Sequence, residues 1–275
     1  MPPSKMLNIG CGGTYHLDWV NLDVATADPN VLTVNINDGL PFPKESVTVC
    51  YSSHVLEHLD KAGARNLIAE CFRVLQSGGV VRLAVPDLEA LAREYLRVLD
   101  AVSSGDISRE NDYDWLMLEL YDQTVRTSPG GDMKNFLFNL PESKRDFVRF
   151  RIGNEAEQIW STKERAKRNS RSKLSFSKLF KRIREKFAGF FVYLIAGKDA
   201  AQSFRMGLFR NGGEVHQWMY DRYSLARLLE QAGFVNVKVC GASESSITDY
   251  EKYSLDILHG KSRKPDSLYV EAFKP

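Results

Sequence analysis

The chain is predicted to be an α/β protein: a doubly wound sheet of seven strands, the last antiparallel, interrupted by a large helical insertion. Three observations lead there. Over roughly the first hundred residues, short β-type runs alternate with turns and helical stretches, the grammar of a parallel sheet with crossovers. The same grammar resumes near residue 220. Between them lies a long polar segment with helical patterning and no strand signal. The expected organisation is a core split over residues 1–102 and 216–275, with a helical insertion or cap over 103–215.

Taken in order, residues 6–9 read as a buried strand running into Gly10-Cys11-Gly12-Gly13. Residues 19–22 form a second strand that ends at Asp23; residues 31–36 and 47–51 supply the third and fourth. Residues 62–75 follow as an amphipathic helix, with Leu67, Ile68, Cys71, Phe72 and Leu75 at helical spacing. Ser77-Gly78-Gly79 is expected to stop it, and residues 80–85 form a fifth strand. Asp87 caps a helix whose apolar face carries Leu88, Leu91, Tyr95 and Leu99. Late in the chain, Asp221 caps a helix bearing Leu225, Leu228 and Leu229, which Gly233 closes. Residues 235–239 and 268–273 complete the sheet.

The 275 residues are 43% hydrophobic, enough for a sizeable core. Basic and acidic residues nearly balance, 37 against 35, so no overall charge argues for a nucleic-acid partner. Cys11, Cys50, Cys71 and Cys240 are too scattered for a metal-binding pair, and with no leader pattern reduced thiols in a bacterial-type cytoplasm are expected. The longest apolar run, residues 187–197, is about half the ~20 residues that span a bilayer. A soluble or peripheral protein is expected.

A strand running straight into Gly10-x-Gly12 lets backbone N–H groups approach a ligand closely, and an acid ending the next strand can accept from both hydroxyls of a ribose. Asp23 occupies that place. A dinucleotide site would want a third glycine where Tyr15 stands, which favours a single nucleoside. A plain tight turn is the alternative.

Leu7-Asn8-Ile9-Gly10-Cys11-Gly12 and Trp19-Val20-Asn21-Leu22-Asp23 resemble the first two binding motifs of class I S-adenosylmethionine-dependent methyltransferases. Gly39-Leu40-Pro41-Phe42-Pro43, Ser53-His54-Val55-Leu56-Glu57-His58, Arg73-Val74-Leu75-Gln76-Ser77-Gly78-Gly79 and Val85-Pro86-Asp87-Leu88 continue the resemblance. It covers about residues 5–100 and resumes over 212–274, and is nearest to a shortened subgroup associated with surface-polysaccharide biosynthesis. The resemblance implies S-adenosylmethionine as cofactor, held by Gly10, Cys11, Gly12 and Asp23, with Asn35 and Ile36 at the adenine end and Ser52 and Ser53 along the methionine part. An Asn carbonyl oxygen can take the adenine amino hydrogen bond that the family usually gives to an acid; Ser52 and Ser53 have the alternative role of a helix cap. Only ten residues separate Gly12 from Asp23, too few for the usual helix, so an open pocket is expected.

The activity implied is O-methylation of a sugar or lipid-linked glycan intermediate. Alternatives are a small metabolite or quinone-like lipid as acceptor, or a non-catalytic cofactor-binding scaffold. His216, after Gly212-Gly213-Glu214-Val215, is the first candidate general base and His54 the second. A related O-methyltransferase group holds magnesium near Glu57-His58; here His54 stands where that group has an acid, so no metal is expected and Glu57 and His58 are assigned to packing and loop contacts. From 163 to 186 there are eleven Lys or Arg against two Glu, and an aromatic-rich run follows to 195. This stretch reads either as a helix on an anionic membrane surface at the inner face of the plasma membrane or as a lid over the site, with a disordered basic loop as the third reading.

Overall fold

The computed structural model describes residues 5–168 and 176–275, with side chains left undescribed at 163–168 and 176–182. Strands β1 (Met6–Ile9), β2 (Val20–Asp23), β3 (Val31–Thr33), β4 (Val47–Ser53) and β5 (Leu75–Pro86) come first, with helix α1 (Lys61–Val74) between the last two. Helices α2 (Leu88–Ser103), α3 (Glu110–Val125), α4 (Gly131–Asn139), α5 (Asp146–Ile152), α6 (Asn154–Arg168) and α7 (Phe176–Arg210) follow. Helix α8 (Arg222–Gln231), strand β6 (Val235–Cys240), a two-residue hairpin β7 (Ile257–Leu258) and β8 (Lys261–Ser262), and β9 (Ser267–Phe273) close the chain. The seven-stranded sheet has the order β3-β2-β1-β4-β5-β9-β6, parallel except for β9, which is antiparallel to both neighbours. This is the doubly wound seven-stranded sheet with an antiparallel last strand expected from the sequence.

Alternation along the strands loads the two faces differently. Leu7, Ile9, Cys50, Val81, Leu83 and Val85 join one core with Leu67 and Ile68 of α1 and Leu225 and Leu229 of α8. Val49, Tyr51 and Val80 turn the other way, against Trp19, Tyr250 and Tyr253. That second face is covered by an aromatic loop cluster because the parallel links β1–β2 and β2–β3 carry no helix. The expected shortening is real. Arg82, fully buried on β5, ties the cover down: it donates to Asp256 (Nε, 2.8 Å), to Glu271 (Nη1, 2.8 Å) and to the carbonyls of Gly241, Ala242 and Glu244.

Two boundaries differ from expectation. The third strand stops at Thr33, and Asn35 caps a short 3-10 turn over Ile36–Asp38. Helix α1 ends at Val74, so Ser77, Gly78 and Gly79 lie inside β5 rather than stopping the helix. Gly78 N donates to Lys274 O, and Lys274 N to Gly79 O, so pairing with the end of the chain draws the strand out.

Helices α2 to α6 pack on one another through buried Leu91, Val98, Trp115, Leu116, Leu137 and Trp160. Helix α7 breaks at Gly197, whose φ of +84° is left-handed, and folds back so that Gly189 faces Phe204. The basic stretch expected over 163–186 falls partly outside the described residues. No helix among the described residues is long and apolar enough to cross a membrane.

Candidate functional site

The site begins where β1 ends. Gly10 has φ +69°, and a Cβ there would run into the Val55 side chain, so only glycine fits. The N–H groups of Gly10 and Cys11 both donate to Leu22 O, at 2.8 and 3.0 Å, which folds the turn onto the end of β2. Gly12, at φ +52°, has open space where a side chain would be. Asp23 accepts from the N–H of Gly12 (2.8 Å) and of Ala25 (3.2 Å), so its carboxylate is part of the turn's own scaffold and keeps further lone pairs for a ligand. Gly10, Asp23, Asn35, Ile36 and His54 line one cleft of about 700 Å³.

The other predicted cofactor residues divide. Cys11 is buried; burial, with help from Asp23, pushes its thiol up to about 11, so it is an uncharged wall. Asn35 lies in the cleft, with its oxygen on Asn37 N (3.2 Å) and its Nδ2 on Asp38 (2.9 Å). Ser53 borders a neighbouring cleft with Gly12 and His54. Ser52 does not line it: buried, its hydroxyl donates to Ile9 O at 3.1 Å and ties β4 to β1.

His54 is the hinge of the arrangement. Its φ of +55° is unusual for a side-chain-bearing residue and is held by its N–H on Ala84 O at 2.8 Å. It borders the cleft of Gly10 and Asp23 and also a third cleft of about 350 Å³, into which Asp87, Glu119, Arg126, Glu155, Lys264 and Asp266 contribute. His54 Nδ1 lies 3.2 Å from Glu57 Oε1 and its Nε2 lies 2.7 Å from Ser267 Oγ.

His216 lines that third cleft, from the other half of the chain. Gln217 N and Trp218 N both donate to Glu57 O, at 2.7 and 3.2 Å, and His216 N to Gln123 O at 2.9 Å. The rings of His58 and His216 meet edge to face with centroids 4.8 Å apart. Burial drives the His216 imidazole down to about 3, against the pull of Glu57. For Glu57 itself, burial raises the carboxyl, but the imidazoles of His54, His58 and His216 outweigh that and hold it at about 2. Glu57 and His58 do make the loop contacts assigned to them, and they also meet His216, a juxtaposition the sequence left unread. The charged groups of the third cleft were missed as well, since Glu119, Lys264 and Asp266 stand in no motif.

Residues 7–83 match the methyltransferase domain family. No curated protein matches the chain. Among solved structures it is similar to a SAM-dependent methyltransferase, possible histamine N-methyltransferase, from Thermotoga maritima, at 10% identity over 100% of this chain and 84% of that one, with a TM-score of 0.38. It is also similar to a SAM dependent methyltransferase from Archaeoglobus fulgidus (11% identity, 99% and 87% covered, TM-score 0.39). A third similarity is to phosphoethanolamine N-methyltransferase 2 of Haemonchus contortus (10% identity, 99% and 49% covered, TM-score 0.37). At these levels none bears on the acceptor. The left-handed Gly10, the open backbone at Gly12 and the carboxylate of Asp23 fit the ribose and amino-acid ends of such a cofactor. Residues 7–83, running from β1 into β5 of this sheet, thus form a methyltransferase domain that uses S-adenosylmethionine.

Proposed function

We propose that the chain methylates a hydroxyl of a sugar or lipid-linked glycan intermediate. The observation that carries this is the third cleft: it joins the cofactor cleft at His54 and is walled by carboxylates, guanidinium and ammonium groups, the partners a polyhydroxylated acceptor needs. When bound, S-adenosylmethionine supplies an electrophilic methyl on sulfur. An acceptor oxygen that takes this methyl gives up its proton, and the imidazoles of His54 and His216 are the candidate recipients. Alignment of the acceptor by the cleft contributes much of the rate.

A surface feature supports a lipid-linked acceptor. At the bend of α7, Leu194 and Ile195 are 60% and 84% exposed, flanked by exposed Phe187, Phe190, Phe191 and Tyr193. An apolar tip below a basic stretch suits the headgroup boundary of an anionic membrane.

The test is turnover of labelled S-adenosylmethionine with a panel of nucleotide sugars, free and lipid-linked oligosaccharides, phenolic quinone precursors and amines. The expected product carries an ether methyl on a sugar oxygen, located by NMR. Turnover confined to phenols or amines would overturn the reading. Tight S-adenosylhomocysteine binding with no turnover on any acceptor would identify a scaffold.

A further inference from the structure

We infer that Glu57, His58 and His216 form a divalent-metal site at the junction of the two halves of the core. One ligand atom from each lies within 4.8 Å of the others. Glu57 is fully buried and His216 is 5% exposed, and burial of this kind demands hydrogen-bond partners. They are lacking. His216 Nδ1 has no hydrogen-bond partner, and neither oxygen of Glu57 has a hydrogen bond of good geometry, the His54 ring at 3.2 Å being its neighbour. A bound cation would satisfy all three.

The supporting groups have the arrangement a metal site requires. His58 Nδ1 faces Val215 O at 3.4 Å, which as a donor leaves Nε2 with a free lone pair. His54 stands behind Glu57 and is itself fixed by Ser267. The main-chain bonds from Gln217 and Trp218 to Glu57 O hold the two ligand-bearing segments together. Ligands of a bound ion lie roughly 3–3.5 Å apart, so the side chains draw in by small rotamer changes on binding. Two imidazoles and one carboxylate select a first-row ion such as Zn²⁺, Mn²⁺ or Co²⁺ over Mg²⁺ or Ca²⁺, which prefer all-oxygen shells. Three protein ligands leave positions open, and His58 and His216 border the third cleft. An acceptor hydroxyl entering such a position would be acidified, and with His216 holding the ion, His54 is the remaining one of the two candidate bases. This use of the ion, though not the site itself, rests on the function proposed above.

No metal is expected from sequence, because His54 stands where the related magnesium-binding group has an acid. The third ligand is an imidazole from the far end of the chain.

The experiment is titration of the chelator-stripped, full-length protein with Co²⁺ and Zn²⁺ alone, following heat and the Co²⁺ visible spectrum. One equivalent per chain is expected, with a spectrum of nitrogen and oxygen ligation. Glu57→Gln and His216→Gln should each lose tenfold or more in affinity, and His54→Gln, acting through Glu57, ~10–100-fold. S-adenosylhomocysteine affinity should be retained in Glu57→Gln and His216→Gln and reports that they are folded; for His54→Gln, which borders the cofactor cleft, thermal unfolding followed by circular dichroism reports the fold. Failure of the wild-type protein to take up one equivalent overturns the site, whatever the variants do. So does uptake that survives unchanged in a folded Glu57→Gln, His58→Gln, His216→Gln triple variant. Acceptor turnover is not read, so the glycan assignment stands or falls separately.

Discussion

Asp23 carries two jobs at once. Its carboxylate accepts from Gly12 and Ala25, which shapes the turn, and Asp23 also lines the cleft. Asp23→Ala removes both, and S-adenosylhomocysteine binding should weaken by about 1–3 kcal/mol, or ~5–150-fold in Kd. Calorimetry checks it; unchanged affinity would take Asp23 out of the site. His216 gives a prediction of a different kind. The sequence makes it the leading candidate base. Buried, its imidazole sits at about 3 and stays neutral from about pH 5 to 8. Turnover against pH in His216→Gln should therefore be lower throughout but keep the wild-type shape over that range. An acid limb present in the wild type and missing from the variant would show that His216 titrates there after all.

At the scale of elements, the short links between the first three strands have a cost that β5 helps to offset. With no helix on that face, Trp19, Tyr51, Tyr250 and Tyr253 cover it, and the cover depends on one buried cation. Tyr51 and Tyr250 donate to Asp256 at 2.6 and 2.7 Å, and Arg82 pairs with both Asp256 and Glu271. Arg82→Met would leave two buried carboxylates without their counter-ion. Removing one member of such a network costs about 3–5 kcal/mol. Urea denaturation should show a loss of that size, and a change under about 1 kcal/mol would mean that solvent reaches the carboxylates. In β5, Gly78 and Gly79 have the local pattern of a helix stop, yet pairing with Lys274 draws them into the sheet.

At the scale of the whole molecule, the bend of α7 exposes an apolar tip, with Leu194 and Ile195 among its residues. If that bend and the basic stretch before it dock on lipid, sedimentation with anionic vesicles should fall steeply with salt, because exposed charges are screened within ~8–10 Å. Charge reversal at Lys178, Lys181 and Arg182 should release the protein, as should Ile195→Asp at the tip, with cofactor affinity intact. Equal partition onto neutral and anionic vesicles, or none onto either, would favour a lid over the site. What the sequence determined by itself was the sheet, the glycine turn and Asp23, because strand alternation, left-handed glycines and capping acids are local physics written within a few residues. The tertiary structure alone decided that His216 reaches Glu57 and His58, that Ser52 is tied to β1 instead of the cleft, and that Arg82 anchors the aromatic cover. Those outcomes depend on which distant segments the sheet order brings together, and on the burial that follows, and neither is encoded in the spacing of neighbouring residues.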